Sequence, residues 1–297
     1  MLLALSALWG ASFMFIKVAV RELEPATLIW ARVLLGAAIL VPVALVALGV
    51  RATGTALRRA WWPLLVMGIL NSAIPFWLIA WAEEDIDSGL TAILQAAAPL
   101  ATALLAIRLD RSERVTGLRL AGLVVGLAGV VLLVGLPGGG SPVRALAVVA
   151  SAVLYALAAL YGGRALGGVP PLLVATGSML AATLITMPLG IAQAPSELPG
   201  WKVTASMLAL GVGGTAIAYI LYFGLIAGAG ASRAILVTYL VPPLAVAYGV
   251  LLLDEELRAV AIAGLALILA GVALGAGNVR LADSRSGARK RMGSVGP

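Results

Sequence analysis

Ten long apolar stretches take up almost the whole of this 297-residue chain, and none of them contains an aspartate or glutamate. They run roughly over 2–20, 26–49, 61–82, 88–107, 115–134, 142–162, 170–192, 202–227, 231–252 and 258–277. A helix that crosses a bilayer needs about 20 mostly apolar residues, because the hydrocarbon is about 30 Å thick and the helix rises 1.5 Å per residue. The 13 acidic residues fall in the gaps or at stretch ends, among them Glu22, Glu24, Glu83, Glu84, Asp87, Glu255 and Glu256. In lipid every backbone polar group needs a partner inside the chain, so the stretches are predicted to be helices. A barrel would alternate in segments of about ten residues, and these runs do not. The fold class expected is an all-α polytopic membrane protein with ten transmembrane helices, its partner the lipid bilayer.

The net charge of +7 does not point to nucleic acid, because the basic residues are sorted by side. With the N-terminus in the cytoplasm, the inward gaps and the tail hold 14 Lys and Arg, including Arg51, Arg58, Arg59, Arg108, Arg164 and Arg280. The outward gaps hold four, Arg21, Arg144, Lys202 and Arg258. The positive-inside rule then places both termini in the cytoplasm. The first stretch lacks the basic n-region of a signal peptide and is read as a retained helix. Its start at Leu2 suggests that a few N-terminal residues are missing. Cysteine and histidine are both absent, which excludes disulfides, thiol nucleophiles, imidazole proton shuttles and Cys/His metal sites. No phosphate-cradling Gly-x4-Gly-Lys run occurs, so the chain is not expected to hydrolyse ATP. An enzyme is not expected, nor a cofactor.

The chain also repeats. Ala98-Pro99 is followed by Glu113, Gly122 and Gly129, and Val241-Pro242 by Glu256, Gly264 and Gly271, with equal Pro-to-Glu and Gly-to-Gly spacing. Trp9 aligns with Tyr155 and Pro25 with Pro171 at one offset, and Trp77/Trp81 fall near Tyr219/Phe223. Five spans per half force the second copy to be upside down, the architecture of secondary transporters with a site between the halves. The halves are expected at 1–136 and 142–279, followed by a basic cytoplasmic tail at 280–297. The Gly122-x3-Gly126 and Gly271-x3-Gly275 patterns suit close helix packing, within the chain or at a dimer seam. Oligomeric state stays open between monomer and weak dimer.

In its order of motifs the chain resembles an EamA-type member of the drug/metabolite transporter superfamily. The features that carry the resemblance are Leu8-Trp9-Gly10-Ala11-Ser12-Phe13 with Lys17 a turn later, Pro25 and Arg32, and the paired Pro-x13-Glu segments with their glycines. The resemblance covers residues 1–280 and implies a central cavity, with the helices at the ends of each half serving as scaffold. It also implies inner-membrane export of small metabolites, with bacterial aromatic amino-acid exporters the most similar members. Carriers of drugs, sugars or nucleotide sugars share the fold, and a passive channel is the third alternative.

Helical phase picks out candidate lining residues. Those expected to bind substrate are Trp9, Phe13, Asn71, Trp77, Gln95, Tyr155, Thr215, Tyr219, Tyr222 and Tyr239. Pro75, Pro99 and Pro242 interrupt backbone hydrogen bonds and are expected to supply gating kinks. Lys17 is close enough to its helix end to snorkel outward. Arg32 lies about 9 Å inside by helical rise, with Glu22, Glu24, helix-end carbonyls or a substrate carboxylate as possible partners. Both cations are assigned gating or structural roles. With no acid in the core, transport is expected to be facilitated, or coupled through rim groups such as Glu83 and Glu84.

Overall fold

The computed structural model describes residues 1–109, 117–135, 140–230, 234 and 236–274. Glu113, Gly275 and the basic tail lie outside the described residues. Among the described residues the regular structure is entirely helical: α1 (Leu2–Ala19), α2 (Pro25–Leu48), α3 (Val50–Arg59), α4 (Trp61–Glu83), α5 (Ser88–Gln95), α6 (Ala98–Leu109), α7 (Leu118–Val134), α8 (Pro142–Ala165), α9 (Pro171–Ala192), α10 (Trp201–Ala229), α11 (Val237–Leu253) and α12 (Ala259–Leu274). Seven candidate spans are long and apolar enough to cross a membrane: α1, α2, α4, α5 and α6 taken together, α8, α9 and α10. Within the expected fifth, ninth and tenth spans the described residues form apolar helices of 10–17 residues, at Leu120–Val134, Val237–Leu253 and Ala259–Leu274. Ten spans were anticipated, and among the described residues seven have full length.

Pro25 and Pro171 sit at the first helical position of α2 and α9, where the missing N–H costs nothing. These two helices form one of the main packing pairs. Thr27 Oγ1 donates to Gly190 O at 2.9 Å, and Thr176 Oγ1 donates back to Leu40 O at 3.4 Å. Other contacts pair off likewise: α1 packs on α11 and α10, while α8 packs on α5–α6 and α4. The glycine-rich faces meet inside the chain. A Cβ on Gly271 would lie 2.5 Å from Gly122 O and 2.6 Å from the Gly126 backbone. Gly122, Gly126 and Gly271 thus take part in packing within the chain.

Three helices are irregular in mid-span. In α4 residues Ile69–Ala73 form a π turn, with the Ile74 N–H reaching Ile69 O five residues back. A second π segment, Ala209–Ile217, interrupts α10. The span made of α5 and α6 breaks at Ala96–Ala97. Proline explains two of these, because Pro75 and Pro99 cannot donate to the carbonyls of Asn71 and Gln95 four residues earlier. By contrast α11 continues through Pro242 and Pro243 as one helix, so the expected interruption there is at most a bend.

One end of the bundle is stitched by acids. Glu255 reaches across to the start of α5, its Oε1 accepting from Ser88 N at 2.8 Å and its Oε2 from Gly89 N at 3.0 Å. It caps a helix whose own N-cap residue, Asp87, makes no side-chain cap bond. The repeat pattern had singled out Glu256, which is exposed and pairs with Arg258; the acid that holds the helix is its neighbour. Glu22 accepts from Gly200 N at 2.7 Å, and Glu84 pairs with Arg144.

Removing the Glu255 carboxylate leaves two helix-start donors unpaired, so Glu255→Ala should destabilise the protein by about 2 kcal/mol, read by thermal unfolding in detergent. Asp87 is half-buried, and burial, reinforced by the nearby Glu255 charge, lifts its carboxyl above the usual aspartate range. A raised folded-state value favours the folded protein at low pH and loses that contribution as the acid ionises. Asp87→Asn should therefore raise thermal stability near neutral pH, and the gain should vanish on acidification below the ordinary aspartate range.

Candidate functional site

Arg32 comes from the second turn of α2 and is 6% exposed. Nε donates to Thr215 Oγ1 at 3.1 Å, and the guanidinium carbon lies 3.9 Å from the centroid of the Phe76 ring. No ion pair engages it among the described residues. The expected carboxylates are elsewhere, with Glu22 bound to Gly200. A buried guanidinium over an aromatic face gains about 0.5–2 kcal/mol, and a neutral hydroxyl compensates one of its five donors.

Around it stand polar groups from both halves of the chain. Asn71 Nδ2 donates to the Tyr219 hydroxyl at 3.0 Å. Tyr155 faces Phe76 with ring centroids 6.5 Å apart. Tyr219 stacks near Phe223 at 6.0 Å, Phe223 meets Tyr222 at 5.5 Å, and Tyr222 meets Trp9 at 5.4 Å. An aromatic file thus leads from the guanidinium cluster to the first helix. Phe13 is buried in the same apolar core.

The π segment of α10 makes this approach possible. Its sequence, Ala-Leu-Gly-Val-Gly-Gly-Thr-Ala-Ile, carries no side chain at Gly211, Gly213 and Gly214. A Cβ on Gly214 would lie 2.4 Å from Ser12 Oγ, and one on Gly36 of α2 would lie 2.6 Å from Thr215 Cγ2. Small residues let α1 and α2 close on α10, which brings Thr215 within reach of Arg32.

The remaining predicted residues are placed elsewhere. Trp77 is exposed, shares its side of α4 with exposed Ile74, and stacks on Trp81 with centroids 6.0 Å apart and rings 5° from parallel. The residue that faces inward is Phe76, which the sequence did not single out. Gln95 Oε1 accepts from Ser151 Oγ at 2.6 Å, an α5–α8 contact. Tyr239 packs against a separate core around Ile93 and Leu94. Most of the Ser and Thr hydroxyls bond to their own helices, as Ser6, Ser12, Thr91 and Thr102 do four residues back.

Two expectations about charge are corrected. Lys17 does not snorkel outward; its Nζ donates to Glu83 O at 2.7 Å and Ile86 O at 2.8 Å, closing the C-terminal end of α4. Glu83 is not a rim group but 0% exposed, and neither carboxylate oxygen accepts a hydrogen bond among the described residues. The interior therefore holds an acid. The sequence concealed it because Glu83 is the last residue of its helix, where an acid reads as a boundary.

The described recesses lie away from this cluster. A small one at the acid-stitched end is lined by Asp87, Gly89, Glu255 and Arg258. A larger one, about 680 Å³, lies between α3 and the Ala165–Pro170 segment and carries Arg51 and Arg59.

Because Thr215 positions the guanidinium, Thr215→Val should cost about 1 kcal/mol. Gly36→Ala, which drives a methyl into Thr215, should cost about 1–3 kcal/mol. Thermal unfolding of the two variants in detergent, ranked in that order, checks the geometry.

Comparison with known proteins identifies the family. The model of the EamA-like transporter family matches the chain twice, over residues 1–135 and 143–276. A protein of Streptantibioticus cattleyicolor, named as a probable terminal-alkyne amino-acid exporter, is 30% identical over 205 residues, which is 66% of this chain and 67% of that one. An uncharacterized transporter of Archaeoglobus fulgidus is 24% identical over 265 residues, 89% of this chain and 93% of its own. A crystal structure with 24% sequence identity superposes with a TM-score of 0.66, covering 94% of this chain and 96% of the other, which establishes a shared fold. The chain belongs to the EamA-like transporter family, and it is a multi-pass membrane transporter, not an enzyme.

Proposed function

We propose that the protein is a secondary transporter that exports small organic metabolites, most of all amino acids including aromatic ones, by alternating access between two inverted five-helix halves. The observation that carries this reading is Arg32: an enclosed guanidinium with no carboxylate partner among the described residues, set among Asn71, Tyr155 and Tyr219. A planar guanidinium is the side chain best shaped to grip a carboxylate through two hydrogen bonds. The file of Tyr219, Phe223, Tyr222 and Trp9 offers apolar faces to a substrate side chain. The exporter name of the Streptantibioticus relative supports the same substrate class.

Several observations support the two-half reading. The family model matches twice, the π segments of α4 and α10 fall at corresponding places in the two halves, and the packing pairs are reciprocal. Under this reading α7, α11 and α12 complete the ten crossings. The acid-stitched end is the outward one, closed in this conformation, and the basic recess beside α3 faces the cytoplasm of a bacterial inner membrane. Substrate would rest between the halves while either mouth opens.

The decisive experiment is counterflow in liposomes loaded in turn with amino acids, sugars and cationic drugs. Saturable exchange of an amino acid is expected, and sugars or drugs alone would reassign the substrate. Arg32→Gln should weaken apparent affinity about 10- to 100-fold, the loss of one charge-assisted interaction. Tyr219→Ala should depress exchange without loss of insertion. Because the chain has no cysteine, single replacements at Arg51 and Lys202 report topology directly. Impermeant thiol reagents should reach the first only from the cytoplasm and the second only from outside.

A further inference from the structure

We propose that Glu83 is a proton-carrying site that couples transport to a proton gradient by drawing Lys17 between its own carboxylate and the carbonyl end of α4. This rests on the transporter reading above and adds to it a driving ion and a residue. The ground is geometric. Both Glu83 oxygens are enclosed, and neither accepts a hydrogen bond from a described residue. Buried polar atoms are nearly always paired, and an unpaired carboxylate is among the costliest groups to enclose. A carboxyl so placed is held far more cheaply as the neutral acid. Its enclosure also excludes a solute as its ligand in this conformation, since a proton is small enough to enter where a solute is not.

Lys17 supplies the response. Its ammonium has three donors, and two of them hold Glu83 O and Ile86 O. The cation is therefore bound to the main chain of the very residue whose side chain lacks a donor. The other charges facing Glu83 are already engaged. Arg32 of α2 is on Thr215 and Phe76, and Glu255 is on Ser88 and Gly89. Arg144 of α8 is on Glu84, and Asp87 stands at the start of α5 beside Glu255. When Glu83 loses its proton, the new negative charge attracts Lys17 away from the carbonyls. The cap on α4 then opens, and the α1–α4 contact at the outward end loosens. Reprotonation restores the cap. One proton taken up from outside and released to the cytoplasm accompanies one solute moved outward, and no other group changes charge.

The test uses full-length wild type and Glu83→Gln in liposomes, with radiolabelled L-phenylalanine as probe. The glutamine keeps the shape of the neutral acid and leaves Lys17 on its carbonyls. Wild type should accumulate phenylalanine against its gradient when a pH gradient is imposed. Glu83→Gln should lose that accumulation while keeping counterflow near the wild-type rate. Equal pH-driven accumulation by both proteins overturns the proposal. A second measurement needs no substrate. Infrared difference spectra of the purified protein near neutral pH should contain a protonated-carboxyl band in wild type that Glu83→Gln lacks, and identical spectra overturn the proposal. Absence of phenylalanine exchange in wild type would count against the amino-acid reading, and the infrared band would then decide Glu83 by itself.

Discussion

Backbone amides and carbonyls in a membrane have no water to turn to, so every departure from a regular helix has to be repaired by the protein itself. The irregular places in this chain are few and concentrated. The π turn before Pro75, the π segment of α10, and the break ahead of Pro99 lie in mid-span. The end of α4 and the start of α5 are repaired by side chains from distant segments, Lys17 and Glu255. Each repair brings a polar or charged group inside the bundle. The functional chemistry follows from those repairs, because a core of Leu, Val and Ala would otherwise offer a solute nothing to bind.

Close approach is the second requirement, and glycine and serine supply it. Where Gly214 meets Ser12 and Gly36 meets Thr215, the addition of one methyl group would push helices apart. Helix association in lipid gains little from hydrophobicity and depends on packing and hydrogen bonds, so these contacts carry a large share of the specificity. The same logic holds at the opposite side of the bundle, where Gly271 rests on Gly122 and Gly126 and joins the last described helix to α7. The α2–α10 approach, in contrast, brings Thr215 to Arg32.

Much of this was legible before any coordinates. Arg32, Asn71, Tyr155, Thr215 and Tyr219 were each marked by the cost of hiding a polar group in an apolar helix, and they do converge. Trp77, chosen for its correspondence to Tyr219 in the other half, lies exposed beyond the π turn and stacks on Trp81. Phe76, one position before it, takes the inward place and packs against Arg32. Tyr239 and Gln95 are partly buried, and their helices carry them to another part of the core. Glu83 was read as a rim group because a residue at a helix end has no fixed depth in the sequence; its depth depends on how the neighbouring helices extend past it.

The sequence by itself determined the solvent this protein lives in, its helical class, its family and the segments that run apolar. These properties are sums over neighbouring residues, and hydropathy and period are local. Tertiary structure alone decided which polar groups meet. Arg32 and Thr215 are 183 positions apart, Glu255 and Ser88 167, and Asn71 and Tyr219 148. No local sum encodes such partners. They are chosen by helix packing, by the glycines that permit it, and by backbone turns that shift the phase on which a sequence reading relies.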